Sequence, residues 1–223
     1  MSADTMIAAM RVFHIGTGGI ALVVAPLAMA TVKGGRAHRM WGKVYFWAMA
    51  AVSLSAAIIA IWRPLVFLGL LSIFSFYSAF RGYRILTLKK SPASLLDWSA
   101  AAGLLAAGVG LVILAIWTPA SIRLPSPMVA LVFGLLAAKG AISDMRSFSA
   151  GAKIKMGWWY AHMEGMLVSY IAALTAFSAV NFESFPRAIV WLWPTAVGAP
   201  IIMIWTSYYR RKFAEGGEPK VSV

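Results

Sequence analysis

The chain has no cysteine, only 7 acidic residues and only 3 histidines among 223 positions. Without cysteine there is no disulfide, no thiolate metal site and no thiol nucleophile. Charge is scarce as well. Charged side chains are 12% of the residues, about half the ~25% that wets the surface of a soluble domain. No polar stretch is long enough for a separate soluble domain, and the Gly/Pro-containing end 215–223 reads as a disordered tail. What the chain has in abundance is apolar length: 61% of it is hydrophobic and the mean hydropathy is +0.79.

A bilayer core of ~30 Å takes about 20 apolar residues per helix. Such runs lie at about 7–32, 44–61, 65–82, 95–117, 127–143, 158–181 and 188–207. They predict an all-α, polytopic integral membrane protein: one seven-helix transmembrane domain over 1–207, then a polar tail over 208–223. The Trp62-Arg63-Pro64 connection is so short that spans two and three should form a tight hairpin. Pro26, Pro194 and Pro200 fall inside spans and predict kinks.

The 20 basic residues divide unevenly between alternate connections. One side holds Lys33, Arg36, Arg39, Lys43, Arg81, Arg84, Lys89, Lys90, Lys139, Arg146, Lys153, Lys155, Arg210, Arg211, Lys212 and Lys220; the other holds Arg11, Arg63, Arg123 and Arg187. That imbalance places the N-terminus outside and the C-terminus in the cytoplasm. Tryptophans at both ends of the spans, such as Trp158 and Trp159 inside and Trp191 and Trp193 outside, fit the two interfaces. The clustering also accounts for the net charge of +13: the partners it implies are lipids, with anionic head groups at the cytoplasmic face, and not nucleic acid. Ala28-Met29-Ala30 resembles a signal cleavage site. Cleavage there would export the Lys33–Lys43 cluster, so the first span is expected to stay. RMWGKVY (39–45) and KMGWWY (155–160) both lead into outward-running spans, which raises spans one to three and five to seven as parallel repeats.

Ionisable groups inside spans are expensive and usually face a bundle interior or a cavity. His162 and Glu164 stand two positions apart in span six, about 200° around a helix, so they should have different partners. Lys139, at comparable depth in span five, is the natural partner of Glu164; the functional alternative is a proton- or cation-binding carboxylate. His162 shares its side with Gly165, Met166 and Ser169, which points to a close helix contact with hydrogen bonding, metal or haem ligation, or proton relay. His14 lies toward the outer end, one turn after Arg11 and before Gly16, Gly18 and Gly19, where a backbone or ligand could approach closely. The candidate polar cluster is therefore His162, Glu164, Lys139, His14 and Arg11, with His38, Arg39 and Lys43 as candidates in the inner loop. His38 and His162 are the candidates for a metal, although no ligand-spacing motif accompanies them. Asp97, three residues after Ser94, reads as a capping box, and Asp144 as a solvated loop charge.

The last span has no lysine for a retinal Schiff base, and three histidines are too few for two bis-histidine haems. Nor do they suit a three-histidine zinc site, since His14 and His162 should differ by roughly 15–20 Å in depth.

HIGTGGIALVVAP (14–26) followed by RAHRMWGKVYFW (36–47) resembles an uncharacterised bacterial membrane family, a domain of unknown function. That family carries a His-Arg-x-x-Gly-(Arg/Lys)-x-Tyr loop after its first span, matched here by His38, Arg39, Gly42, Lys43 and Tyr45. SYIAALTAFSAVN (169–181) and WLWPTAVGAPII (191–202) resemble later parts of similar proteins. The resemblance implies a bacterial cytoplasmic membrane protein and no particular activity. Three functions are then in view. The first is a transporter-like protein handling a small molecule or ion, marked by a water-accessible cavity reaching Glu164 or His14. The second is an accessory or assembly subunit that binds other membrane proteins through small-residue faces. The third is a haem- or metal-binding redox protein. An enzyme ranks below a non-enzyme.

Overall fold

Each apolar run folds as a helix, because a helix satisfies its own backbone N–H and C=O groups without water. The computed structural model describes residues 3–63, 65–118, 122, 124–150, 156–182 and 184–214. They form α1 (Ala3–Ala30), α2 (Arg36–Trp62), α3 (Val66–Leu88), α4 (Leu95–Ile116), α5 (Pro127–Ala150), α6 (Gly157–Asn181) and α7 (Arg187–Ala214). All seven are long and apolar enough to cross a membrane. Arg123, Lys153, Lys155, Lys220 and the tail from 215 lie outside the described residues.

Four helices run past the apolar runs, by six to eight residues each: α2 at its start, and α3, α5 and α7 at their ends. His38, Arg39 and Lys43 are therefore in the first turns of α2 and not in a loop, and residues 208–214 belong to α7 and not to the tail. Hydropathy marks where a helix turns polar. It does not mark where the backbone bonding stops. All four extensions meet at one end of the bundle, the basic end. There His38 of α2 meets α1, His162 of α6 meets α3, and Arg81 and Arg84 of α3 meet α5 and α4. The turn before α2 uses Gly34 at φ 76°, a left-handed conformation that glycine adopts without strain. Lys33 in that turn donates to the Met29 carbonyl near the end of α1, and burial pushes its ammonium pKa down.

Helix α3 is central and packs on α2, α4, α5 and α6. On one flank, α1 and α2 lie along each other; on the other, α4 and α5 do. Among the described residues α5 and α6 do not meet, so spans five to seven do not repeat the packing of spans one to three. Lipid tails are as apolar as leucine, so helices in a bilayer associate by close packing, and small residues permit it. Two crossings rest on glycine pairs. A Cβ at Gly165 would sit 2.7 Å from Gly82 Cα and 2.8 Å from the Ser78 carbonyl; one at Gly134 would sit 2.8 Å from the Gly108 carbonyl. The close approach expected at Gly16–Gly19 is made at Gly18, where a Cβ would sit 3.3 Å from Val52 Cγ2 of α2; a Cβ at Gly16 or at Gly19 meets nothing within 4 Å among the described residues. Those last two glycines face outward.

At the opposite end Phe67 and Trp191 pack edge to face at 5.2 Å, and α2 turns tightly into α3, with Leu65 N–H donating to Ala60 O at 2.9 Å. Asp4 pairs with Arg63 at 3.0 Å, but the carboxylate is 86% exposed. Exposed pairs contribute little, so Asp4→Ala should cost less than about 1 kcal/mol in a thermal melt.

Candidate functional site

The inward stripe of α3 reads Phe67, Leu71, Phe74, Tyr77, Arg81, Arg84, at the three- and four-residue spacing of one helix face. It is apolar for three turns and then polar. The stripe of α5 does the same, from Ala130 through Phe133, Ala137 and Ala141 to Asp144. That of α4 begins polar at Asp97 and continues through Ala101, Leu104, Gly108 and Leu111. Core positions therefore carry charge on all three helices where they reach the basic end, and the charges meet.

Asp144 is buried, with a side chain 5% exposed. Its Oδ1 accepts from Arg81 Nε at 2.6 Å and its Oδ2 from the Tyr77 hydroxyl at 2.7 Å. It is not a solvated loop charge, because α5 continues past it and turns it toward α3. Asp97, at 1% side-chain exposure, takes Arg84 in a two-pronged pair at 2.9 and 3.1 Å. The expected capping box is formed as well: the Ser94 N–H donates to Asp97 Oδ2 at 2.8 Å, and the Ser94 hydroxyl does so at 2.7 Å. Asp97 thus accepts four hydrogen bonds and Asp144 two, one at each oxygen. Glu164 is different. Its nearest cation is Arg81 at 3.9 Å, beyond hydrogen-bonding range, and its side chain is 35% exposed.

These groups line a cavity of ≈ 890 Å³ enclosed by α3, the 89–93 connection, α4, α5, α6 and α7. Five cations line it (Arg81, Arg84, Lys89, Lys90 and Arg210) against three carboxylates (Asp97, Asp144 and Glu164). Tyr77, Ser143, Ser147 and Tyr160 add hydroxyls, while Phe80, Leu88, Phe148 and Phe213 give an apolar wall. Below Tyr77 the bundle is closed by Phe74 against Phe133, edge to face at 5.8 Å. At the rim Lys89 lies over the Trp158 ring at 4.7 Å, and Arg210 over Tyr160 at 5.4 Å. The result is a vestibule with positive excess, one loosely held acid and a greasy side.

The predicted cluster of His162, Glu164, Lys139, His14 and Arg11 does not assemble. Lys139 is exposed on α5, and α3 stands between α5 and α6, so Glu164 answers Arg81 instead. His14 bonds within the α1–α2 pair, its Nδ1 3.0 Å from both the Val52 carbonyl and the Ser55 hydroxyl. Arg11, Arg39 and Lys43 are exposed and line no cavity described above. His162 and Glu164 do have different partners, as their spacing requires. His162 Nδ1 reaches the Gly82 carbonyl at 2.6 Å, and its ring faces His38 with centroids 6.2 Å apart. Among the described residues no group of three or more His, Asp or Glu side chains could hold a metal.

Tyr77, Arg81, Arg84 and Asp144 had no place among the predicted site residues. The signal was in the sequence: continuing each helix's core stripe one or two turns beyond the apolar run lands on them. The chain matches no family model, no curated protein and no solved structure.

Proposed function

We propose that the chain is a multi-pass protein of a bacterial cytoplasmic membrane, N-terminus outside and C-terminus in the cytoplasm, that binds a small anionic solute in the vestibule and handles it in the manner of a transporter. The orientation is supported by the sixteen-to-four division of basic residues. The bacterial origin is supported by the His38-Arg39-x-x-Gly42-Lys43-x-Tyr45 resemblance. The membrane setting is supported by seven apolar helices whose outward faces bear Ile15, Ile61, Leu95 and Ile116 at 71–85% exposure.

The observation that carries the functional reading is the vestibule. A closed, dry bundle would suit an accessory subunit; a cavity of ≈ 890 Å³ reaching Glu164 suits a protein that receives a solute. Its two aspartates are neutralised by Arg81 and Arg84 in place, so the lining keeps a net positive charge, which favours an anion. Glu164 then serves as the displaceable carboxylate: an incoming phosphate or carboxylate group takes its place beside Arg81. The apolar wall favours an organic anion over a bare inorganic one.

Calorimetric titration of the purified protein with phosphate- and carboxylate-bearing solutes tests this. At least one such anion should bind. Reversing the rim charges with Lys90→Glu and Arg210→Glu together should weaken it by about tenfold or more, at ~1 kcal/mol for each repulsive pair in water. Arg11→Glu, at the other end, should leave the affinity unchanged. A panel that yields only cation binding, or affinity indifferent to the rim charges, would refute the proposal.

A further inference from the structure

Side chains alone bridge the seam between α2 and α6. The two helices do not approach backbone to backbone, although each packs on α1 and on α3. Two layers of the seam are seven residues apart on both helices. In the deeper layer Tyr45 and Ser169 close the gap with a buried hydrogen bond of 2.7 Å. In the layer nearer the basic end His38 and His162 face one another, ring centroids 6.2 Å apart and planes at 76°.

Both rings are held in the same way. Nδ1 of His38 lies 3.0 Å from the Ala28 carbonyl, and Nδ1 of His162 lies 2.6 Å from the Gly82 carbonyl. A carbonyl only accepts, so each Nδ1 carries the proton and each Nε2 keeps its lone pair. No hydrogen bond from a described residue reaches either Nε2. Pinning the far nitrogen to a carbonyl is how proteins fix the tautomer and orientation of a metal-ligating imidazole. The glycine at 82 lets α6 come close enough for the second of these bonds.

We propose that His38 and His162 form a two-coordinate site for Cu(I), bound through their two Nε2 atoms. A ring nitrogen sits about 1.1 Å from its centroid and a metal about 2.0 Å beyond, so rings on opposite sides of one ion have centroids about 6.2 Å apart. The observed centroid separation of 6.2 Å leaves room for one ion between the rings. The choice of ion follows from what else is present. Zinc takes about four donors and harder divalent ions about six, and no third His, Asp or Glu joins this pair among the described residues. Cu(I) is content with two. A single positive charge between neutral ligands is also the least costly ion to hold beside a low-dielectric layer. Haem iron uses two opposed imidazoles as well, and the test separates it by its colour.

The purified protein is titrated anaerobically against Cu(I) held by a chromophoric chelator. Wild type should withdraw one equivalent, and X-ray absorption should show two nitrogen neighbours and no more. His38→Ala should weaken binding by about a hundredfold, or ~2.7 kcal/mol, with only a small fall in melting temperature, because it removes one hydrogen bond to Ala28 and leaves the α3–α6 crossing intact. His38→Met, whose thioether also suits Cu(I), should restore most of the affinity. Failure to withdraw Cu(I) would overturn the assignment. So would unchanged binding in His38→Ala, or a haem Soret band that replacing either histidine abolishes.

Discussion

Arg81→Ala should destabilise the protein by about 3–5 kcal/mol, the cost of leaving one member of a buried ion pair without its partner. The stranded group is the Asp144 carboxylate. It is 5% exposed and would keep only the Tyr77 hydroxyl at 2.7 Å. In a chain of this size that loss corresponds to a fall in melting temperature of about 6–20 °C. Arg81→Lys should rescue little, since a point charge on a flexible stem does not reproduce the Nε contact to Asp144 while staying near Glu164. Asp144→Asn should rescue much more, because the neutral amide still accepts from Tyr77. A thermal melt of the two single variants and the double variant measures the coupling. Additive losses would show that Arg81 and Asp144 do not act as a unit.

Gly165→Val should be the second large loss. Even the Cβ would fall 2.7 Å from Gly82 Cα and 2.8 Å from the Ser78 carbonyl, and backbone cannot step aside as a flexible side chain does. Overpacking of a well-filled core costs about 1–3 kcal/mol and sometimes more, and valine adds two methyl groups to the clash. Forcing α3 and α6 apart would also stretch the bond from His162 to Gly82 and tilt Ser169 away from Tyr45. Gly16→Val is the matched control: the same exchange inside a long helix, at a site with nothing within 4 Å among the described residues. Equal melting temperatures for the two variants would contradict the account of this crossing.

The seven helices were legible because apolar length is a direct physical requirement for crossing a bilayer, and every such run is matched by a helix. The site was less legible, for two separable reasons. The apolar run of span five ends at 143, one residue short of Asp144, whereas α5 runs on to Ala150. The sequence there looks like a loop, although Ala137, Ala141 and Asp144 lie on one stripe and all three are buried. The second reason is packing order. Lys139 and Glu164 belong to consecutive spans, which suggests neighbours, yet α3 lies between those helices. Nothing in the spacing of a single chain reveals that insertion. Depth is more legible than neighbourhood: residue spacing puts His38 and His162 near the same end and away from His14, and their rings do meet there. His162 and Glu164, so close in sequence, serve two places: the seam facing α2, and the vestibule facing Arg81.

The vestibule should be a water-filled chamber open to the cytoplasm and closed to the outside. The absence of cysteine makes this measurable, because one introduced thiol is the only thiol in the chain. Ala161 lines the cavity one turn before Glu164, while Ala172, 5% exposed, lies deeper in the bundle. Ala161→Cys should react with a membrane-impermeant, charged thiol reagent in inside-out vesicles, remain unlabelled in right-side-out vesicles, and be protected by the anion that calorimetry identifies. Ala172→Cys should stay unlabelled from both sides. Labelling of Ala161→Cys from the outside, or from neither side, would contradict the account.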